Sequence, residues 1–164
     1  MKIYKAQLNN IGAASTPYIT EHDFDHVSRA GGYVSGYTAQ DITRSGGVTR
    51  CHSKPMDLSR YRTLGMHRNF SLWTHINGGN GNNGTALGNK GVTVAYQACY
   101  ASSGATWYTA GVLRGSGTSI SGSSGTYFAN IASPLIAPFW RFEFSWAVSQ
   151  VTSDLTVDYA LMVE

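Results

Sequence analysis

The amino-acid sequence predicts an all-β protein, an antiparallel β-sandwich of the jelly-roll type, from three observations. Charged residues make up only 13% of the 164 residues, against about 25% in an average soluble protein. Gly, with 19 residues, and Ser, Thr and Asn take their place, as in proteins with many tight turns. Apolar residues alternate with a period of two in several segments, and no helical periodicity of any length occurs. These features argue against a coiled coil, and the aromatic content of 12% argues against a charged disordered chain.

The length is that of one domain, which can bury roughly 70% of its unfolded surface and needs no disulfide or metal to hold a core. We interpret residues 51–164 as the sandwich core and residues 1–50 as an N-terminal arm or as the first strands. Residues 1–70 carry nine Lys or Arg against five acidic residues, a net charge of +4, whereas residues 71–164 carry three against four, a net charge of −1. The positive excess suits an arm that contacts an acidic surface, and deletion of residues 1–30 is expected to leave the sandwich folded.

The sequence lacks the features of several other classes of protein. No cluster of Lys or Arg occurs, which argues against a nucleic-acid partner. No apolar stretch approaches the ~20 residues that cross a bilayer, and no apolar segment follows the N-terminal residues as in a secretory signal. We therefore expect no membrane partner and synthesis of the chain in a cytoplasm.

Strand patterns occur at intervals along the first half of the chain. Weaker patterns lie near residues 2–8, 33–38 and 48–51. A clearer one covers residues 70–76, where apolar side chains alternate with Ser, Trp and His. Residues 77–91 are rich in Gly and Asn and are predicted to form a long loop, which is either functional or disordered.

The next two strand patterns predict a hairpin. One face of residues 92–100 consists of Val92, Val94, Tyr96, Ala98 and Tyr100. A turn at residues 102–104 leads to a second strand over residues 106–113. Residues 115–125, which are nearly all Gly and Ser, are predicted to form a loop, and residues 126–131 a further short strand.

The strongest strand pattern lies near the C-terminus. One face of the first strand carries Trp140, Phe142, Phe144 and Trp146. One face of the second carries Leu155, Val157, Tyr159, Leu161 and Val163. Burial of each aromatic residue is worth about 1.5–3 kcal/mol. Because residues 149–154 link the two strands, we predict that they pair as an antiparallel hairpin and form the wall of the core. The total is eight or nine strands.

The densest cluster of ionisable side chains is the segment Glu21–His26, which contains two His and three acidic residues. Such residues could bind Zn²⁺ or Ca²⁺. The segment has no HExxH motif, no positioned third ligand and no helical periodicity. We therefore interpret it as a solvated loop and expect that the protein needs no metal.

No catalytic arrangement is found in the sequence. There is no nucleophile elbow and no phosphate-binding Gly loop before a helix, and the acidic residues do not form a recognisable pair. Glu143 is expected to face solvent or to pair with Arg141. Cys51 and Cys99 belong to no CxxC motif; Cys99 is expected to be a small buried residue, and a disulfide between the two is left open. The sequence thus predicts neither an enzyme nor a cofactor.

Four residues are candidates for an interface or a glycan contact: Trp73, His75, Trp107 and Tyr108. Aromatic rings stack on sugar rings, although aromatic residues at period two more often belong to a core or an interface. Trp73 and His75 are the best candidates for an outward-facing pair, because they alternate with Leu72 and Ile76.

Several strand and turn segments resemble those of small β-sandwich structural and decoration proteins of tailed bacteriophage virions. The similarity covers about residues 55–164 and is carried by residues 57–64, 92–100, 104–107, 125–131, 138–144 and 155–159. It implies a non-enzymatic virion protein, a capsid decoration (cement) protein or a head or tail accessory. Such a protein acts by self-association, with a trimer expected, and by docking on a major capsid or tail protein.

The opening Asp57-Leu58-Ser59 and the jelly-roll arrangement also resemble carbohydrate-binding modules. The alternative function is therefore a carbohydrate-binding module or a host-surface adhesin of the phage tail, with a glycan as its partner. A common fold does not distinguish the two functions.

Overall fold

The computed structural model describes residues 2–12, 16–22, 33–58, 70–77, 92–100, 106–114, 124–131, 137–147 and 155–163. Within these ranges the chain forms strands and no helix, so the described residues include no helix that could cross a membrane. The strands are β1 (Lys2–Asn9), β2 (Tyr18–His22), β3 (Tyr33–Thr38), β4 (Gln40–Ser45), β5 (Val48–His52), β6 (Met56–Asp57), β7 (Phe70–Asn77), β8 (Thr93–Cys99), β9 (Tyr108–Arg114), β10 (Ser124–Ile131), β11 (Phe139–Ala147) and β12 (Thr156–Val163).

The strands form two sheets, which we name A and B. Sheet A has the order β10-β7-β12-β1-β2-β3, and sheet B has the order β4-β5-β11-β8-β9, with the short β6 also paired to β11. All the described strand pairs are antiparallel, and the two sheets pack face to face around one core. The predicted all-β, antiparallel sandwich is confirmed, and so is the hairpin of β8 with β9.

The predicted C-terminal hairpin is wrong. β11 pairs with β5, β6 and β8 in sheet B, whereas β12 pairs with β1 and β7 in sheet A. The reason is that both strands are strongly apolar on one face. Two such faces are buried together when the strands lie in opposite sheets.

The core consists of the inward-facing side chains of both sheets. Sheet A contributes Ala6, Leu8, Ile19, Leu72, Ile76, Val157, Tyr159 and Leu161. Sheet B contributes Cys51, Val92, Val94, Leu113, Trp140, Phe142, Phe144 and Trp146. The Tyr159 ring lies 4.7 Å from the Phe142 ring and 5.1 Å from the Phe144 ring, between centroids. The residues predicted to face the core from the two C-terminal strands are therefore buried together.

The N-terminal residues belong to the sandwich. β1 lies inside sheet A, with Lys2 opposite Val163 on one side and Lys5 opposite His22 on the other. The boundary placed at residue 50 falls within β5. An arm that can be deleted over residues 1–30 without loss of the sandwich is not compatible with this position, because the deletion would remove β1 and β2.

Three strands were not predicted: β2, β4 and β6. β2 includes Glu21 and His22 from the cluster interpreted as a loop, and residues 23–26 of that cluster lie outside the described residues. β4 is an edge strand with mostly exposed polar residues, so it has no apolar alternation to recognise. It is joined to β5 by Gly46 and Gly47, whose φ angles of +59° and +76° fit the two-residue hairpin turn that favours glycine. Of the predicted loops at residues 77–91 and 115–125, Asn77 instead ends β7, and Ser124 and Gly125 begin β10. The remaining residues of both loops lie outside the described residues.

Cys51 and Cys99 are both buried and are not joined in a disulfide. They flank β11 on opposite sides, opposite Phe144 and Phe139 respectively. Five residues of strand separate these positions, or about 16 Å along β11, which no disulfide spans. Burial, with a smaller effect of the Glu143 charge, raises the pKa of the Cys51 thiol to about 12, so the thiol stays protonated and unreactive.

We predict that Phe142→Ala lowers the free energy of unfolding by about 3–5 kcal/mol, because it removes a fully buried ring from the contact between the sheets. Phe128→Ala is the matched control. Because the Phe128 side chain is 71% exposed, this substitution should lower the free energy of unfolding far less. Urea or guanidinium unfolding of the three proteins measures both effects. Equal midpoints for Phe142→Ala and the wild type would show that these strands do not form the core.

Candidate functional site

The outer face of sheet A carries a shallow, open groove of about 410 Å³. It is lined by Trp73, His75, Thr126, Phe128, Asp158 and Met162. These residues come from the three neighbouring strands β10, β7 and β12, and they alternate with buried residues such as Leu72 and Ile76. The strand alternation therefore places them together on the solvent side of the sheet.

A row of polar side chains crosses four strands of this face. In register, Thr126, His75, Asp158 and Gln7 lie opposite one another. Nδ1 of His75 and Oγ1 of Thr126 are 2.7 Å apart, and Nε2 of Gln7 donates a 2.8 Å hydrogen bond to Oδ1 of Asp158. These bonds fix the orientation of the side chains at the edge of the groove.

Trp73 lies in the next row of the same face. Its cross-strand neighbours are Phe128 on β10 and Ala160 on β12. Ala160 lies between Trp73 and Lys5 in this row and is fully buried, while the Lys5 Nζ is 5.7 Å from the centre of the Trp73 ring. The small alanine thus leaves room for the large neighbouring side chains to cover the sheet.

The outer face of sheet B carries a second cluster, which is polar and mostly buried. Glu143 accepts hydrogen bonds from His52 Nε2 at 3.1 Å and from Gln97 Nε2 at 2.8 Å, and Arg50 Nε lies 3.9 Å from its other oxygen. The hydrogen bond with His52 is the main cause that lowers the pKa of Glu143, Arg50 and Arg141 lower it further, and partial burial opposes them.

Arg141 joins this cluster to the rest of the sheet. Its Nε donates to Oε1 of Gln97 at 2.8 Å, and its Nη1 donates to Oδ2 of Asp41 at 2.7 Å. The guanidinium also lies over the Trp107 ring, 4.4 Å from its centre. Asp41 adopts a φ of +49°, uncommon for a residue other than glycine, at the irregularity where β4 bulges from β5. Most polar atoms of this cluster bond to one another, whereas the buried Nδ1 of His52 makes no hydrogen bond within the described residues and lies 3.8 Å from Oδ2 of Asp41.

The four predicted contact residues do not form one site. Trp73 and His75 lie side by side on the outer face of sheet A, as the alternation indicated. Trp107 packs on Arg141 at the outer face of sheet B, and Tyr108 is the exposed first residue of β9. The two tryptophans are therefore on opposite faces of the sandwich and cannot contact one ligand.

The prediction for Glu143 needs correction. Its side chain is on the solvent side of β11, but it is only 18% exposed, and its hydrogen-bond donors are His52 and Gln97 rather than Arg141. The sequence could not show these partners, because they lie on β5 and β8 and depend on the strand register.

Sequence reasoning also missed Phe128 and Asp158 as groove residues. A signal for Asp158 was present, since it falls in the non-core face of the β12 pattern. Phe128 lies on a strand whose Gly and Ser neighbours give little periodicity. Among the residues that the structure describes, no group of three His, Cys, Asp or Glu side chains is placed to hold a metal ion.

Comparison with known proteins finds likenesses in solved structures only. No protein-family model matches the chain, and no curated protein matches it. The enzymatically active domain of tailspike protein 4 from bacteriophage CBA120 is 7% identical with a TM-score of 0.45; the match covers 99% of this chain and 19% of that one. This chain therefore spans about a fifth of the length of the tailspike domain.

Two further likenesses are to domains of similar size. The vertex protein P5 of PRD1 is 10% identical with a TM-score of 0.33, and the match covers 97% of this chain and 94% of that one. The CBM22-2 xylan-binding domain of Xyn10C from Paenibacillus barcinonensis is 7% identical with a TM-score of 0.36. The match covers 98% of this chain and 86% of that one. Phage and viral proteins and a carbohydrate-binding module are thus all weak structural neighbours, and none determines the function.

We predict that the stability of the protein falls with pH below about 4.5, the ordinary pKa of a glutamate, in a manner that depends on Glu143. Because the folded state lowers the pKa of Glu143, its ionised form stabilises the fold above that pH, and this contribution is lost as pH falls through the lowered pKa. Denaturant unfolding measures the free energy of unfolding of the wild type and of Glu143→Gln. The difference between the two values should be constant near neutral pH and become smaller below pH 4.5. An identical difference at pH 3 and pH 7 would contradict this role.

Proposed function

We propose that this protein is a non-enzymatic structural component of a virus particle, which associates with copies of itself and docks on a shell. Within that class we propose a capsid decoration protein or a head or tail accessory, with a major capsid or tail protein as its partner. The observation that carries the self-association is the exposed edge strand β9.

β9 forms one edge of sheet B and is paired only with β8 among the described strands. Tyr108, Thr109, Ala110 and Val112 are exposed, with Tyr108 at 63% and Val112 at 56%. The one charged residue of the strand, Arg114, is buried and donates a hydrogen bond to the Val92 carbonyl at 2.6 Å. The exposed part of β9 thus offers apolar and hydroxyl groups with no charge to repel a second copy.

The opposite edge of sheet B differs. β4 exposes Asp41 and Arg44, and charged side chains at an edge discourage strand association. β9 carries two register irregularities against β8, which bend the strand. We therefore infer an association of β9 through burial of its side chains rather than a continuous sheet between subunits, around a rotation axis that we expect to be threefold.

The absence of an enzymatic role is part of the proposal. The polar cluster of sheet B contains the residue types that general acid-base catalysis uses. Its members are hardly accessible to a substrate: His52 and Arg141 are 6% and 8% exposed, and Glu143 already accepts two hydrogen bonds. We interpret this cluster as structural.

The second candidate function is carbohydrate binding, as in a module or a host-surface adhesin. The specific observation that favours it is the aromatic groove on sheet A, which lies on a different surface from β9. The two functions can therefore be tested independently.

We predict that the wild type is an oligomer at micromolar concentration and that Val112→Lys shifts it toward the monomer, because a charge at the centre of β9 must be desolvated on association. Val48→Lys is the matched control, since Val48 is 39% exposed on β5, next to the opposite edge strand of sheet B, and its substitution should leave the oligomer intact. Light scattering coupled to gel filtration measures the mass of each protein. A strictly monomeric wild type, or equal loss of the oligomer in both variants, would refute the role of β9.

A further inference from the structure

We propose that the groove on the outer face of sheet A binds an uncharged polysaccharide, with the Trp73 ring as the stacking surface. This inference deepens the second candidate function and does not depend on the association of β9. It assigns a site and a class of ligand, and three features of the groove support it.

The first feature is the aromatic surface. Trp73 is half-buried, and its neighbour across the strand pair, Phe128, is 71% exposed. A phenylalanine ring this exposed on β10, the edge strand of sheet A, gains nothing from the core. Together with Met162 the two rings form an apolar floor beside Thr126, His75 and Asp158. Sugar rings present an apolar face of C–H groups, which stacks on such rings.

The second feature is the polar row beside this floor. Thr126, His75, Asp158 and Gln7 cross four strands, a distance of about 14 Å from the usual spacing between strands. The row contains a carboxylate acceptor, an amide and a hydroxyl, and the hydrogen bonds between these groups hold them in place before a ligand arrives. Sugar hydroxyls both donate and accept hydrogen bonds, so a mixed row of this kind suits them.

The third feature is the charge balance and the shape. The groove has one acidic side chain, Asp158, and the ammonium of Lys5 lies over one face of the Trp73 ring, 5.7 Å from its centre. Because these two charges have opposite signs, the groove has no uniformly positive potential. A nucleic acid or an acidic polysaccharide would require such a potential. The groove is shallow and open, and its volume of about 410 Å³ lies in the range of small-ligand sites. This shape suits an internal stretch of a polysaccharide rather than a deeply held chain end.

The test uses the full chain and affinity gel electrophoresis with four probes: xylan, dextran, mannan and, as the charged comparison, alginate. We expect retardation by at least one neutral polysaccharide, with an affinity that does not change between low and high salt. Titration calorimetry with the polysaccharide that binds then gives the dissociation constants of the variants.

We expect Trp73→Ala to weaken binding by about tenfold or more. Trp107→Ala is the matched control, because it removes the same side chain from the opposite face and should leave binding unchanged. Trp73→Phe should restore part of the affinity, and a circular-dichroism melt of each variant shows that the sandwich is folded. If Trp73→Ala does not fold, Phe128→Ala replaces it, since Phe128 is exposed and lines the same groove.

Three results would overturn the proposal: no retardation of the wild type by any neutral probe, retardation by alginate alone with loss at high salt, or equal binding by the wild type and the folded groove variants. A groove variant that changes the oligomer mass without changing glycan binding would also overturn it, and would assign the groove to subunit contact. Failure of the Val112→Lys experiment leaves this result unaffected, because that residue lies outside the groove.

Discussion

The contact between Tyr159 and the two rings of Phe142 and Phe144 is the constraint on which the two-sheet arrangement depends. It joins the central parts of β12 and β11, which lie in different sheets. Each of these strands has paired neighbours on both sides, so the position of one aromatic contact determines how two whole sheets face each other. The same contact explains why the two strands do not form a hairpin. If they were neighbours in one sheet, their apolar side chains would lie on one face of that sheet, and a second layer would still be needed to bury them.

The two outer faces of the sandwich are built differently although both are polar. Sheet B is covered by a set of charged and amide groups that bind one another, with Arg141 linking β11 to β8, to β4 and to the Trp107 ring. A planar guanidinium has enough donors in one plane to make these bonds at once, which a lysine in its place could not do. Sheet A instead exposes aromatic rings next to the row from Thr126 to Gln7.

The sequence was sufficient where one strand face is apolar. The alternation around Phe142 and Val157 identified the core correctly, and that around Leu72 placed Trp73 and His75 outward. The sequence was insufficient where strand pairing or side-chain contacts depend on another part of the chain. Whether two apolar strands pair or face each other depends on their other neighbours, and the partners of Glu143 depend on register across three strands. Edge strands such as β4 bury little, so their polar sequences look like loops.

The pairing of Lys2 with Val163 has a consequence for how the protein is made. β1, which lies inside sheet A, leaves the ribosome long before β12, the strand that pairs beside it. At a synthesis rate of roughly 5–20 residues per second, β1 waits for many seconds without β12. Its hydrogen-bonding groups meanwhile have no permanent partner on that side. Closure of so long a loop is slow, and Lys2 and Lys5 within β1 place positive charge on the strand that waits, which opposes its association with other chains.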